Sequence, residues 1–364
     1  MTRRLSQKHR IILSLLSFIA IIFVGWWIGY SHQESYLQEL KPLGERAWDT
    51  PIKKNSIEAP LSLSDHTIYT TPNTDLIKKI AEQIDEAKTQ VLVEVYILSE
   101  KEIKAALKRA KARWIRVEVI LENELYGSDV LSTNSRRELM WSGVVVIAPD
   151  HEQFTFTHSK FMIIDDNYIV SSWNFAYSSF KDNKEFVIFW RNKEVHSYLE
   201  RLFESDKKHK IFNETISWMF ISPVNARSTI EDAIESAQSS IVLTMQSLAD
   251  ESIVKLLESK AQSGIEISIC LGDTKKVSWN DTVAARLIKS GVKVSAPKKP
   301  YIHTKSLLID GYNWYIGSIN YTTNSIDRNR EVWLYLKLDE SASRVHMQDY
   351  KRICSTPYTP VWKK

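Results

Sequence analysis

The chain has 364 residues, 43% apolar and 25% charged, with only 10 Gly and 10 Pro. That length suits two domains or one large one with a core that needs no staples, and the composition excludes collagen-like, low-complexity and largely disordered proteins. The net charge of +4 resides entirely in Arg3, Arg4, Lys8 and Arg10; everything after residue 10 sums to zero, which disfavours a basic coat for nucleic acid.

The first element is Ile11 to Tyr30, IILSLLSFIAIIFVGWWIGY, without a charge in it. As a helix it would be about 30 Å long, the thickness of a bilayer's hydrocarbon core. The basic cluster precedes it and Glu34 and Glu39 follow, so the positive-inside rule keeps the N-terminus cytoplasmic and places the body on the exported side, periplasmic or extracellular. Trp26, Trp27 and Tyr30 would form an interfacial aromatic belt. A cleavable signal peptide has a shorter apolar region and an A-x-A-like site, and a buried core helix would not be apolar all round, so an uncleaved anchor is the expectation. Residues 31–65, with Pro42, Pro51 and Pro60, read as a stalk.

The remainder is a duplication. At an offset of 150, Ile80, Ile84, Ala87 and Val91 fall on Ile230, Ile234, Ala237 and Ile241, and Leu98, Ile103 and Leu107 on Leu248, Ile253 and Leu257; SGVVVIAP (142–149) returns as SGVKVSAP (290–297). The two copies span 66–205 and 216–350, with a tail over 351–364. In each, an amphipathic helix (75–88; 226–239) leads to an apolar strand (90–97; 240–246). A second helix (100–112; 250–262), a strand (115–121; 265–271), a third helix (130–142; 280–290) and a further strand follow. Such alternation predicts the α/β class, each copy a mixed, mostly parallel sheet flanked by helices, the two lobes related by a pseudo-twofold axis.

Both copies close on the same polar pattern. The first has His158-Ser159-Lys160, four apolar residues, Asp165, then Ser172, Asn174 and Glu185; the second has His303-Thr304-Lys305, Asp310, Ser318, Asn320 and Glu331. In a strand, residues i and i+2 share a face, so each lobe presents an imidazole, an ammonium, an amide and a hydroxyl together. Lys and Asn can hold phosphate oxygens, and an imidazole can attack phosphorus or donate a proton. A single His-x-Lys would be noise. Its repetition in register beside apolar strands is not, because buried Lys and Asp are rarely tolerated without a partner or a role.

His-x-Lys-x4-Asp followed by Gly-Ser-x-Asn resembles the phospholipase D superfamily in its two-motif form, over residues 66–350. The resemblance implies two α-β-α lobes with one active site at their interface and a phosphohistidine reaction that needs no metal and no cofactor. It implies that one of His158 and His303 is the nucleophile and the other the acid, and places Asp165 and Asp310 in the same motif, either as catalytic or as structural residues. Lys160, Lys305, Asn174, Asn320, Ser172 and Ser318 would bind phosphate, and Glu185 and Glu331 would orient the imidazoles. Copy one departs from the pattern at Ser171 and Asp166, where copy two has Gly317 and Gly311; serine is costly there if φ must be positive.

The reaction class does not name the substrate. The anchor favours a phospholipid, cleaved by water or passed to an alcohol as in a cardiolipin synthase, with the bilayer as partner and no obligate protein partner. A membrane-tethered nuclease is the alternative, with Lys293, Lys298 and Lys299 as a local basic patch. A degenerate binding module is disfavoured by two intact motifs. Trp173, Trp314 and Trp333 are expected in the core rather than lining a substrate wall, Cys270 is expected as an inert core residue, and two cysteines in an exported body fit a bacterial envelope.

Overall fold

A computed structural model describes residues 67–125 and 130–360. The expected anchor and stalk fall in residues 1–66, outside the described residues; among the described residues no helix is long and apolar enough to cross a membrane.

In chain order lobe one comprises β1 (Thr67–Thr70), α1 (Asp75–Glu86), β2 (Gln90–Val95), α2 (Lys101–Ala112), β3 (Arg116–Leu121), α3 (Val130–Trp141), β4 (Val145–Ile147), β5 (Lys160–Ile164), β6 (Asn167–Ser171), α4 (Tyr177–Lys181), β7 (Asn183–Lys184), β8 (Phe186–Trp190) and α5 (Lys193–Lys207). Lobe two comprises β9 (Met219–Ser222), α6 (Ala226–Ser236), β10 (Ser240–Met245), α7 (Glu251–Gln262), β11 (Glu266–Leu271), α8 (Trp279–Lys289), β12 (Lys293–Ser295), β13 (Tyr301–Ile302), β14 (Lys305–Ile309), β15 (Asn313–Gly317), α9 (Thr323–Asp327), β16 (Glu331–Lys337) and α10 (Glu340–Ile353). The helices of the repeat form where apolar spacing and caps demand them. In α1 the buried stripe is Leu76, Ile77, Ile80, Ala81 and Ile84, and α2 and α7 start where the side chains of Glu100 and Asp250 accept the N–H of Ile103 and Ile253.

The two seven-stranded sheets have the same order, β1-β8-β6-β5-β2-β3-β4 and β9-β16-β15-β14-β10-β11-β12, which establishes the duplication. The sheets are mixed, but the expectation that they are mostly parallel is corrected. Only β2·β3 and β3·β4 are parallel in lobe one, and β1·β8, β8·β6, β6·β5 and β5·β2 are antiparallel. Parallel pairs end where the helical crossovers end; past β4 the chain continues through hairpins, which reverse direction.

One face of each sheet lies under its own helices. The other faces merge: Phe161, Ile163, Tyr168 and Val170 of lobe one share a single buried cluster with Leu308, Trp314, Ile316 and Leu334 of lobe two. The rings of Phe186 and Trp314 meet edge-on across the boundary at 5.2 Å. At about 1.5–3 kcal/mol per buried large apolar side chain, such a face holds the lobes together. Trp173, Trp314 and Trp333 are buried, as expected of core residues.

The cysteines depart from expectation. Cys270, the next-to-last residue of β11, and Cys354, capping α10, form a disulfide with Cα atoms 5.8 Å apart. Their 84-residue separation gave no sign of it, because only the fold brings the end of a strand to the end of the last helix. The expected tail is accordingly packed: α10 continues to Ile353, Ser295 Oγ donates to Cys354 O, and Tyr358 N–H donates to Val294 O.

Both repeat helices α2 and α7 end in a residue with positive φ. In lobe two it is Gly264 (φ 95°); at the same repeat position lobe one has Trp114 (φ 65°), whose side chain is 92% exposed. A bulky residue there carries the left-handed strain that glycine escapes, without burial to offset it. Trp114→Gly is expected to stabilise the fold by about 0.5–1 kcal/mol, read as a higher urea midpoint; a lower midpoint would show that the indole is held by contacts worth more than the strain.

Candidate active site

The hairpin strands aim both motifs at the lobe boundary. β5 pairs antiparallel with β2, placing Lys160 opposite Val95 at the end of the parallel strands, and β14 places Lys305 opposite Met245 in the same way. His158 and His303 sit just before these strands. They are fixed by the opposite lobe: β13 pairs with β7, and Thr157 bridges to Arg330. The N–H of His158 donates to Arg330 O (2.8 Å), and those of His303 and Thr304 to Lys184 O (3.3 and 3.0 Å).

The carboxylates cross as well. His158 Nδ1 lies 2.7 Å from Glu331 Oε2 and His303 Nδ1 lies 2.7 Å from Glu185 Oε1, so each imidazole is paired with the other copy's glutamate. Both glutamates are fully buried. Glu331 also accepts from Ser325 Oγ and from Asn329 Nδ2 (3.1 Å); Glu185 accepts from Ser172 Oγ (2.7 Å) and Asn183 Nδ2 (3.1 Å). Each lysine folds back on its histidine, Lys160 Nζ donating to His158 O (2.6 Å) and Lys305 Nζ to His303 O (2.5 Å). A tyrosine stands by each imidazole: Tyr96 edge-on to His158 at 4.8 Å, and Tyr301 at 6.3 Å from His303.

Burial governs the electrostatics. It pushes His158 down to about 4, against the pull of Glu331, with Lys160 adding to the fall. His303 is lowered by burial in the same way, against Glu185. Burial drives Lys160 well below its ordinary range and Lys305 down to about 8. For Glu331 burial acts upward, but the His158 imidazole and the Lys160 ammonium outweigh it and hold the carboxyl low. At neutral pH His158 is therefore an uncharged imidazole whose Nδ1–H points at a carboxylate, which leaves the lone pair on Nε2. Each lysine lowers the other lobe's histidine too, so the two half-sites share one field.

The other candidates separate into two groups. Asn174 is buried and Asn320 half-buried, and among the described residues neither Oδ1 has a hydrogen-bond partner, so their amides remain available to a ligand. Ser172 and Ser318 do not: both are fully buried, Ser172 Oγ donating to Glu185 while each hydroxyl accepts an N–H at 3.1 Å, from Phe186 and Val332 respectively. Phosphate binding by these serines is corrected to support of the carboxylate-bearing strands.

Of the two roles expected for Asp165 and Asp310, the hydrogen bonds fit the structural one. Asp165 accepts the backbone N–H groups of Lys88, Thr89 (both 2.8 Å) and Gln90 (3.0 Å) and the Thr89 hydroxyl (2.7 Å); Asp310 accepts those of Gln238, Ser239 and Ser240 and the Ser239 hydroxyl. Five residues beyond each lysine, at the far end of a strand about 16 Å long, they tie the hairpin turn to the start of β2 or β10. Both adopt positive φ (49° and 52°). Gly311 has positive φ too, but lobe one's hairpin is one residue shorter, with Ile164 opposite Asn167 where Ile309 faces Asn313, and Asp166 does not need it. Gly317 is required for space, since a Cβ there would come within 2.1 Å of Val332 O; its counterpart Ser171 is accommodated, buried and bonded to Lys160 O and Trp173 O.

Sequence reasoning missed Asn183, Lys184, Ser325, Asn329 and Arg330, which support the glutamates and accept from the histidine backbones. The triplets Asn-Lys-Glu (183–185) and Asn-Arg-Glu (329–331) are themselves repeated, and that repetition was the available signal. It also missed Glu122, whose buried carboxylate accepts the Thr157 N–H (2.7 Å) one residue before His158.

Residues 80–207 and 230–352 match the family described as "Cardiolipin synthase, PLD-like domain". The chain belongs to the phospholipase D superfamily. Among phospholipase D-like proteins it is similar to the cardiolipin synthase of Geobacillus kaustophilus, 24% identical over 348 residues that cover 82% of this chain and 69% of that one. It is also similar to the cardiolipin synthase of Geobacillus sp. (strain WCH70), 23% identical over 380 residues covering 91% and 76%. Its fold is similar to the structure of the phosphatidylserine synthase of Haemophilus influenzae, with a TM-score of 0.65 at 11% identity over 81% of this chain and 86% of that one.

The structural reading of the aspartates is tested by denaturation. Asp165→Ala and Asp310→Ala are each expected to cost about 2–3 kcal/mol of stability, because three N–H groups and a hydroxyl lose a charged acceptor; unchanged denaturation midpoints would return the carboxylates to the reaction.

Proposed function

We propose that this chain transfers phosphatidyl groups between phospholipids through a phosphohistidine intermediate, at one site shared by both lobes. The observation that carries the reading is the pair of imidazoles on two lysine-bearing half-sites, each held by the opposite lobe's carboxylate. The named relatives, two cardiolipin synthases, support a lipid substrate.

The chemistry balances on these groups. Nε2 of one imidazole attacks phosphorus; the P–O bond to the leaving alcohol breaks, and that alcohol takes the Nε2 proton of the other imidazole, which enters the step as the imidazolium. An acceptor alcohol such as glycerol or phosphatidylglycerol then gives its proton to that second imidazole as its oxygen displaces Nε2. Water in the acceptor's place yields hydrolysis instead. Family habit favours His158 as nucleophile, and its low pKa suits attack. Lys160, Lys305, Asn174 and Asn320 hold the phosphate oxygens. Burial discourages charge on both lysines; an anionic phosphodiester reverses that balance, so the site favours the charge that the reaction brings to it.

The body is proposed to lie on the exported side, tethered by residues 11–30. The Cys270–Cys354 disulfide supports this, because such bonds persist in oxidising compartments. The neutral body speaks against a nuclease, as does Lys293, which is paired with Glu266 at 2.6 Å.

Full-length protein in vesicles containing phosphatidylglycerol, with EDTA present, is expected to form cardiolipin and release glycerol, and His158→Ala and His303→Ala to lower turnover by about 100- to 10,000-fold each. Phosphatidic acid as the product would make water the acceptor. Cleavage of single-stranded or duplex DNA with the lipid intact would overturn the lipid reading. For the location, thiol alkylation of the protein taken from cells is expected to find both cysteines blocked; free thiols would count against export.

A further inference from the structure

Each histidine depends on the residue that precedes the opposite lobe's glutamate. Arg330 O accepts the N–H of His158 and the hydroxyl of Ser159 (3.2 Å), while the next residue, Glu331, accepts from the imidazole. Lys184 O accepts the N–H of His303 and the hydroxyl of Thr304 (2.8 Å), and Glu185 the imidazole. Where these short segments lie therefore sets both the backbone and the ring of each histidine.

The basic side chains of the two residues do not face the cleft. Arg330 is fully buried: Nε lies 2.8 Å from Asp206 Oδ2, Nη2 donates to Asp206 Oδ1 (3.0 Å), Nη1 donates to Ser222 O (3.1 Å), and the guanidinium covers the Phe154 ring at 4.2 Å. Lys184 Nζ contacts Asp349 Oδ2 and lies over the Phe186 ring at 4.4 Å. Asp206 is on α5 and Asp349 on α10, the helices that close lobes one and two. Each ion pair thus runs from one lobe's glutamate segment to the other lobe's last helix, twice over, in pseudo-twofold relation.

We propose that Arg330 and Lys184, anchored by Asp206 and Asp349, are positioning residues that hold the glutamate segments in register with His158 and His303, and that the His158 half is the more rigidly built. Three differences carry the second part. Arg330 meets its aspartate through two nitrogens and Lys184 through one. Asp206 is almost wholly enclosed, whereas Asp349 reaches the rim, where Arg352 shares it at 2.5 Å. Behind the first pair lies Glu94, fully buried, its carboxyl pushed well above the ordinary range by burial, where the repeat places Thr244 in lobe two. A buried ion pair that loses one partner leaves the other uncompensated, so such pairs hold geometry more stringently than a surface pair.

The kinetic half of this inference rests on reading the two histidines as the reacting groups; its spectroscopic half does not. In full-length protein in detergent micelles, the two imidazole Nδ1–H protons bonded to glutamate are expected as separate downfield proton resonances, assigned by their loss in His158→Ala and His303→Ala. Arg330→Lys keeps the charge but loses the fork. It is expected to shift or broaden only the His158 resonance and to lower kcat by about 10- to 100-fold with KM within about twofold, the penalty of a sub-ångström displacement. Asp349→Asn is expected to disturb only the His303 resonance and to lower kcat by less, about 3- to 10-fold. Asp206→Asn, nearly isosteric, serves if Arg330→Lys does not fold and should act on His158 alone. Lower melting temperatures with both resonances and kcat unchanged would overturn the proposal, and an equal or larger loss in Asp349→Asn would overturn the asymmetry. Resonances that respond in a protein without phosphodiester turnover would leave the positioning intact and sink the proposed function instead.

Discussion

The crossing of the carboxylates is the constraint on which the rest of the structure depends. Because Glu331 serves His158 and Glu185 serves His303, neither lobe contains a complete half-site, and the lobes must dock in one register to within a fraction of an ångström. Main-chain pairing supplies that register: β13 lies beside β7, and Thr157 bridges to Arg330, so the residue before each histidine forms a short parallel ladder with the residue before the other lobe's glutamate. Side chains alone could satisfy a hydrogen bond over a range of lobe positions; a backbone ladder combined with a ring-to-carboxylate bond cannot. The apolar faces that merge beneath it provide the driving force, and the ladders convert a non-directional attraction into a defined site.

That site concentrates charge where water is scarce. Two lysines, two glutamates and two imidazoles are all largely enclosed, and each carboxylate is stabilised by neutral donors besides its histidine: Ser325 and Asn329 for Glu331, Ser172 and Asn183 for Glu185. The donors matter because a single imidazole could not compensate a buried carboxylate. With each glutamate committed to its imidazole and to neutral donors, the two lysines are the groups left short of counter-charge. The site is complementary to an anion, and the cost of holding it that way is met by the lobe interface.

Much of this was legible in the sequence. The repeat at an offset of 150 placed the helices and strands of both lobes within one to three residues of α1–α3 and α6–α8, because apolar periodicity and buried strands leave a strong linear signal. The histidines, lysines, asparagines and glutamates were found for a different reason: their spacing is set by one strand and one hairpin, so it survives duplication. What was not legible depends on contacts between distant segments. The crossing of the glutamates, the disulfide and the commitment of Asp165 and Asp310 to the ends of β2 and β10 all join residues with no fixed spacing. The serines misled because Ser172 and Ser318 precede the asparagines by two residues, yet each lies just past the end of its strand, where the i, i+2 rule no longer holds.

The differences between the copies follow the same logic. Every group that contacts the proposed phosphodiester is duplicated without change: histidine, lysine, asparagine and the supporting glutamate. Divergence begins one layer behind. Arg330 stands against Lys184 and Glu94 against Thr244, and the disulfide joins two residues of lobe two alone. If both histidines performed one task, the twofold axis would place equal demands on both backgrounds. In the proposed reaction one imidazole takes on a phosphoryl group and must stay neutral and fixed, while the other must give up and regain a proton. A shared reacting surface on unequal supports is what that division of labour requires, and the position of the inequality, behind the reacting groups, is where it can act without disturbing the phosphate they hold in common.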